Sequence, residues 1–494
     1  MEKRLLFWIN VYMLHFGLAK FLQEEIDAKF YGVIDVPNKP KKFFKKQKLV
    51  NFQKEWYYHD HINKTAKEPD LKYLKNFEEK YGINLWKLAI NERFFYRFNR
   101  FYKFSQNEIL QILEQECKLF ENILDEAKPD YFLIYDPPFH FQKLLLEMCK
   151  VKKIKVLCIY YARIGGKSII AEDGKTLDLP NKIIKDNLKD LTKVNTENDN
   201  YSSLTKKYKN ERGASFSDKI KAVTNYILYS DSNNVKSNFT YYGKSKVKVI
   251  FDSISLSTKR ITRKKYMDKN LTTNVDLKRP FVYFPMNVEE ELSILHYSPF
   301  FTDQIEIIRH LAKSIPIEYK LYVKDHIFSE FRGWHTKKEY EEIMEIPNVV
   351  LIHPSYSSDE LVKHSKLVAT VRGTASYDAA KNNIPSLVFG DIPFSILPSV
   401  YKIESITELP SIIKRALETK VDPSDIEGYV KMINEKAVKF DMMDFEVKRN
   451  HQFFSGNTLS DVDISEKDTE KFFQENREYF KPLVKAHVTE ICSS

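Results

Sequence analysis

The residues best placed for chemistry lie at the end of one apolar run. Leu367-Val368-Ala369-Thr370-Val371 reads as a strand, Arg372-Gly373-Thr374 as a turn, and Ala375–Asn382 as a short helix. A strand, a small-residue turn and a helix N-terminus form an anion site, because free backbone N–H groups and the helix dipole both point at the ligand. Gly373 would let a phosphate approach the backbone. Thr374 is expected to cap the helix, and the amide of Ala375 belongs to the same cradle. Asp378, four residues after Thr374, shares a helix face with it and could accept hydrogen bonds from ribose hydroxyls. The alternative is a tight connection in which Asp378 only complements a positive helix end.

Two neighbouring strands end in similar polar turns. Tyr319–Lys324 runs into Lys324-Asp325-His326, a natural pair of partners for a phosphate or a sugar carboxylate, or else a surface loop. Val349–Ile352 runs into His353-Pro354-Ser355 and then Ser357 and Ser358. Ser357 and Glu360 match a capping box, which accounts for them without a ligand.

The elements that must hold these turns alternate. Apolar runs at Tyr131–Tyr135, Lys155–Tyr160, Phe281–Phe284 and Ser386–Phe389 join those above, with helical patterns between most of them. Continuous runs of this kind read as buried parallel strands, so the fold class is α/β. An additional first strand is expected at Leu5–Val11, a turn near His15–Gly17, and a helix from Leu18. The predicted organisation is 1–178 as a first Rossmann-like domain, 179–277 as a helical insertion and linker, 278–424 as a second Rossmann-like domain, and 425–494 as a helical tail.

Length and composition bound the rest. A chain of 494 residues with 43% hydrophobic and 30% charged residues suits a globular protein of two large domains and excludes disorder as its main state. Thirteen glycines are far below the usual share of about 7%. The four cysteines are scattered, which fits a reducing, cytoplasmic compartment. The apolar N-terminal stretch Leu5–Ala19 is too short to span a bilayer, which takes about 20 residues. A net charge of +10 is compatible with anionic ligands or an anionic membrane. The run Lys39–Lys46 reads as a surface loop or a membrane anchor. A nucleic-acid partner would need basic residues interleaved with stacking aromatics on one surface, and none is expected.

Several motifs fail. Gly165-Gly166-Lys167-Ser168 lacks the first glycine of a phosphate-binding loop, with Tyr161 in its place. No GxGxxG or HExxH occurs, His59-Asp60-His61 is too contiguous to converge on a metal, and Asp461-Val462-Asp463 does not follow an apolar strand. Six histidines between His296 and His364 give no helical ligand pair.

In order, Arg279–Pro285, Tyr319–His326, Arg332-Gly333-Trp334, Ile346–Val349, and Gly373–Ala380 followed by Pro385–Gly390 resemble the capsule polysaccharide biosynthesis family, with a looser echo at 130–175. Asp325 and Ile327 replace the family's Glu and Pro, and Arg372, Ser376 and Asp378 depart from its turn motif. The resemblance implies a GT-B-like pair of Rossmann-like domains facing a cleft, and a metal-independent glycosyltransferase without a cofactor. Its donor would be a nucleotide sugar, with a CMP-linked, Kdo-like acidic sugar favoured. Lys324, His326, Ser357, Ser358, Gly373, Thr374, Ala375 and Asp378 would bind the donor. Asp136 or His140, after the Tyr131–Tyr135 strand, would be the general base facing the acceptor, with Glu291 a further carboxylate candidate. A glycan or glycolipid acceptor follows, with peripheral contact at the inner membrane face or the export machinery. The alternative is a catalytically inactive scaffold of the same fold.

Overall fold

The computed structural model describes residues 2–183, 224, 226, 230–454 and 461–493. They form two units, one from the described parts of Met1–Leu177, Asn195–Val249 and Lys436–Ser494, the other from those of Asp178–Val194 and Ile250–Glu435.

In the first unit, β1 (Lys3–Asn10), β2 (Ala28–Asp35), β3 (Phe52–Tyr57), β4 (Tyr131–Tyr135), β5 (Lys155–Tyr161) and β6 (Ser168–Ala171) line up as β3-β2-β1-β4-β5-β6. All neighbours are parallel except β5 and β6. In β1 the six residues Leu5–Asn10 are buried in succession, as helices on both sheet faces require. The turn after β1 comes earlier than expected. Asn10 accepts the amide of Tyr12 through its side chain (2.9 Å) and that of Met13 through its carbonyl (3.0 Å), so the helix runs Leu14–Glu25 and contains Gly17. Lys39–Lys46 is a helix over Asn38–Phe44 rather than a loop, because Phe43 and Phe44 turn inward against Phe16.

The tail belongs to this first unit rather than standing apart. Phe440, Phe445, Phe472, Phe473, Phe480 and Leu483 share one core with Leu5, Phe7, Phe16 and Phe21 of the N-terminal elements. Gly17 is where the two meet most closely, since a Cβ there would lie 2.5 Å from Phe473 and 2.8 Å from Phe480. Gly17→Val is therefore expected to overpack this seam and lower stability by about 1–3 kcal/mol, read by urea unfolding. An unchanged midpoint would contradict the packing.

In the second unit, β7 (Phe281–Pro285), β8 (Lys320–Lys324), β9 (Val349–Ile352), β10 (Leu367–Thr370), β11 (Ser386–Val388) and β12 (Val400–Lys402) line up as β12-β11-β10-β7-β8-β9, every pair parallel. This is the doubly wound order. The winding reverses between β7 and β10, and ligands of open α/β sheets bind beyond the strand ends at such a point. The α/β expectation with two Rossmann-like sheets and a helical tail holds. Much of the expected insertion lies outside the described residues; its described part is dominated by a long helix, Lys246–Asn270.

Candidate functional site

The reversal between β7 and β10 is organised by Thr370, fully buried as the last residue of β10. Its hydroxyl donates to Asn287 Oδ1 (3.2 Å) and accepts from the Gly373 amide (3.1 Å). This ties the loop after β7 to the turn after β10. Gly373 is required by close approach, not by backbone angle: a Cβ would sit 2.5 Å from Thr370 Oγ1. The helix Ala375–Lys381 follows. Thr374 precedes it but makes no side-chain cap, contrary to expectation, because its own backbone is already helical (φ −62°, ψ −13°), a geometry that does not turn the hydroxyl back onto the helix amides. The amides of Ser376, Tyr377 and Asp378 close turns onto Gly373 and Thr374. Those of Thr374 and Ala375 donate to no protein acceptor among the described residues.

Beyond β7, two strands over from β10, Lys324 ends β8 and is nearly buried. Its Nζ donates to the Tyr356 carbonyl (3.0 Å) and to Ser358 Oγ, so it braces the start of the helix Ser358–His364. Burial pulls its pKa down to about 8, with Asp359 and Asp325 opposing. Asp378 is raised to about 7 by burial and then by the Asp359 carboxylate, with Lys381 opposing. The buried Tyr283 hydroxyl feels the same surroundings: burial raises it first, then Asp359 and Asp378, while Ser358 opposes. The structure thus brings Lys324, Ser358 and Asp378 into one electrostatic neighbourhood, with Gly373, Thr374 and Ala375 at the adjoining turn. Sequence reasoning missed Asn287, Thr370, Asp359 and Tyr283. Thr370, the one polar residue in its strand, was the available signal.

Other expectations are corrected. His326 is no cationic contact. Its Nδ1 accepts the Phe328 amide (3.2 Å), and burial lowers its pKa, which keeps it neutral. Its neighbour Asp325 is an internal anchor, taking the His326 amide (2.7 Å), Ser329 Oγ (2.8 Å), His335 Nδ1 (2.8 Å) and the Tyr340 hydroxyl (2.6 Å). Burial would pull His335 down, but Asp325 holds it at about 9. Ser357 caps its helix by accepting the Glu360 amide (3.3 Å), without the reciprocal half of the capping box. Arg372 is buried too, stacked 3.8 Å from the Tyr297 ring centroid and bonded to the Asp391 carbonyl (2.5 Å).

In the first unit, Asp136 directly follows β4 and is half-buried, its amide bonded to the Ile159 carbonyl (3.1 Å). His140 does not face solvent at all. It is fully buried, with Nδ1 2.8 Å from Glu92 and Nε2 3.0 Å from Glu116, so an acceptor hydroxyl has no route to its ring. Glu291 is exposed beyond β7, ahead of the short helix Leu292–Leu295. No group of three His, Cys, Asp or Glu among the described residues could hold a metal ion. Asp461, of the weak acidic motif, instead ties loops together by accepting the Lys39 amide (2.9 Å) and Asn234 Nδ2 (2.8 Å).

A family model described as capsule polysaccharide biosynthesis protein matches residues 197–408. The match spans less than half of the chain. The matched region contains all six strands of the second unit and the whole turn around Thr370. No curated protein matches the chain. Among solved structures, Thermosulfurimonas dismutans KpsC, described as a beta Kdo 2,7 transferase, is 10% identical with a TM-score of 0.30, covering 70% of this chain and 87% of its own. Anabaena Alr3699/HepE, solved with UDP, is 12% identical with a TM-score of 0.29, covering 90% and 97%. Methanocaldococcus jannaschii UDP-GlcNAc 2-epimerase is 11% identical with a TM-score of 0.24, covering 88% and 100%. Likeness at this level speaks to neither substrate nor reaction. Among the described residues, no helix is long and apolar enough to cross a membrane.

Proposed function

We propose that the chain is a glycosyltransferase of surface polysaccharide synthesis that uses a nucleotide-activated sugar, with a CMP-linked, Kdo-like acidic sugar favoured. The observation that carries this reading is the turn after β10. It sits at the winding reversal of a parallel sheet, inside the region the family model matches, with the Thr374 and Ala375 amides open and Lys324 two strands away, at the end of β8. The two amides would hold the donor phosphate, Asp378 the ribose hydroxyls, and Lys324 the leaving phosphate or the sugar carboxylate. Their positive potential stabilises the charge that develops on the leaving group, and no metal is invoked. Asp136, not His140, is the general base in this reading, and the acceptor is a glycan or glycolipid.

Thermal unfolding against CMP, CDP, UDP, GDP and ADP tests it. A ligand at 100 times its Kd stabilises by about 2.7 kcal/mol, and a CMP-selective rise in Tm, lost in Thr374→Arg, is expected. A shift selective for UDP or GDP keeps the transferase and discards the acidic sugar. No shift with any nucleotide favours the second reading, an inactive scaffold. That reading is supported by the inward commitment of Asp325, His326 and Arg372 to protein contacts.

A further inference from the structure

The long helix Lys246–Asn270 has one face docked and one face bare. On the docked face, Arg260 Nε donates to the Glu330 carbonyl (2.8 Å), and Arg263 Nη1 to the carbonyls of Gly333 (3.0 Å) and Trp334. Leu256 lies on the same side, 2.9 Å from where a Gly333 Cβ would stand. At 100° per residue these three positions fall within about 60° of one another. The opposite face carries Phe251, Ile254 and Ile261, with relative exposures of 68%, 59% and 58%. They fall on a stripe about 80° wide, turned away from Leu256, and Thr258 and Lys265 continue it.

A helix that is apolar on its solvent side calls for an occupant, and charge selects which. The helix carries eight Lys and Arg against two Asp. Arg260 and Arg263 are committed to backbone carbonyls, Lys264 to Asp268, and Lys259 is half-buried with its Cβ toward Gly333, whereas Lys265 and Lys269 are exposed in line with the stripe. Apolar side chains flanked by lysines suit a helix lying in the headgroup region of an anionic bilayer. There the stripe enters the acyl boundary and each basic residue adds attraction to the surface. A protein partner would have to supply an acidic rim around an apolar groove, and a second copy of this face would bring lysine against lysine.

The earlier candidate, Lys39–Lys46, is less suited. Lys39 pairs with Asp463 (3.3 Å) and Lys41 with Asp60, while Phe43 and Phe44 are turned into the core. We infer that the Phe251–Ile261 face of this helix, with Lys265 and Lys269, is a peripheral docking surface for anionic lipid membranes. The inference stands apart from the proposed transfer reaction, since it uses none of the donor-site residues.

Vesicle co-sedimentation at 0.15 M salt tests it with the full chain. Wild type should pellet with phosphatidylglycerol-containing vesicles and stay in solution with pure phosphatidylcholine. Phe251→Glu/Ile254→Glu and Lys265→Glu/Lys269→Glu should each reduce the bound fraction at least fivefold. These side chains project from the docked helix, so an unchanged circular dichroism spectrum is expected of both variants. Phe251→Trp supplies a direct reporter: its emission should shift to the blue with anionic vesicles only. Three results would each overturn the inference: equal binding by wild type and both variants, no binding by wild type, or a dimer in sedimentation velocity that Phe251→Glu/Ile254→Glu dissolves.

Discussion

His140→Leu is expected to lower the stability of the protein by about 3–5 kcal/mol at pH 6.5, because it strands two carboxylates in the interior. Glu92 and Glu116 are 2% and 0% exposed, and the imidazole is the only cationic group bonded to either among the described residues. The Tyr58 hydroxyl donates to Glu116, and the His140 amide to Glu92 (2.9 Å), so the network is otherwise satisfied. Burial by itself would drive the His140 pKa down, but Glu116 and Glu92 more than offset it and hold the ring at about 9. A folded pKa above the ordinary 6.5 contributes stability that is complete below about pH 6.5 and lost as pH rises through about 9. Glu92 works at the other end. Burial alone would raise it, yet His140 holds it below the ordinary carboxylate value, so its contribution is present above about pH 4.5 and lost on acidification. Urea unfolding of wild type and His140→Leu between pH 4 and 10 should therefore diverge most near pH 6.5 and converge at both extremes. A constant difference across that range would deny His140 its charge. A difference under about 1 kcal/mol at pH 6.5 would deny the network its weight.

The same histidine marks where reading the sequence stopped. His140 was legible as a residue following a strand, the place where catalytic groups are found. Its partners Glu92 and Glu116 come 48 and 24 residues earlier in the chain, and nothing local announces that they converge. The sequence carried local physics well. The Ser105–Glu108 capping box starts the Gln106–Ala127 helix, and the buried runs at Phe281–Pro285 and Leu367–Thr370 became adjacent central strands. β2 and β3 were missed because Gly32 and the polar Gln53-Lys54-Glu55 break their apolar runs, and both strands are held by pairing to β1 rather than by their own pattern. The tail was legible as helices. That its phenylalanines complete the core around β1 depends on contacts more than 400 residues apart. At the turn after β10, residue types pointed to a strand end at the winding reversal, while the parts they play in the fold differ: Thr370 rather than Thr374 organises the turn, and Asp325 serves His335 and Tyr340.

Asp378→Asn is expected to make the protein more stable and less active at once. A carboxyl raised from the ordinary 3.8 to about 7 is one whose ionised form the fold disfavours, first through burial and then through Asp359. That penalty is absent below about pH 3.8, grows as pH rises and levels off above about pH 7. Each tenfold weakening of the acid in the fold corresponds to about 1.36 kcal/mol, so removing the charge should raise stability at pH 8 by up to about 4 kcal/mol and change nothing near pH 3.8. An acid placed only to complement a helix N-terminus behaves oppositely, since its neutralisation lowers stability by about 0.3–1 kcal/mol. The sign of the change therefore separates a ligand-binding carboxylate from a helix-stabilising one. Lys324→Met is the companion. If Lys324 meets the leaving phosphate as proposed, its loss should lower kcat about 10²–10³-fold. In wild type, Asp378 ionising near pH 7 and Lys324 losing its proton near pH 8 should leave a narrow bell-shaped rate profile, its acid limb absent in Asp378→Asn and its alkaline limb absent in Lys324→Met. A destabilised Asp378→Asn, or full activity in Lys324→Met, would remove the donor phosphate and ribose from this strand end and leave the scaffold reading in possession of it.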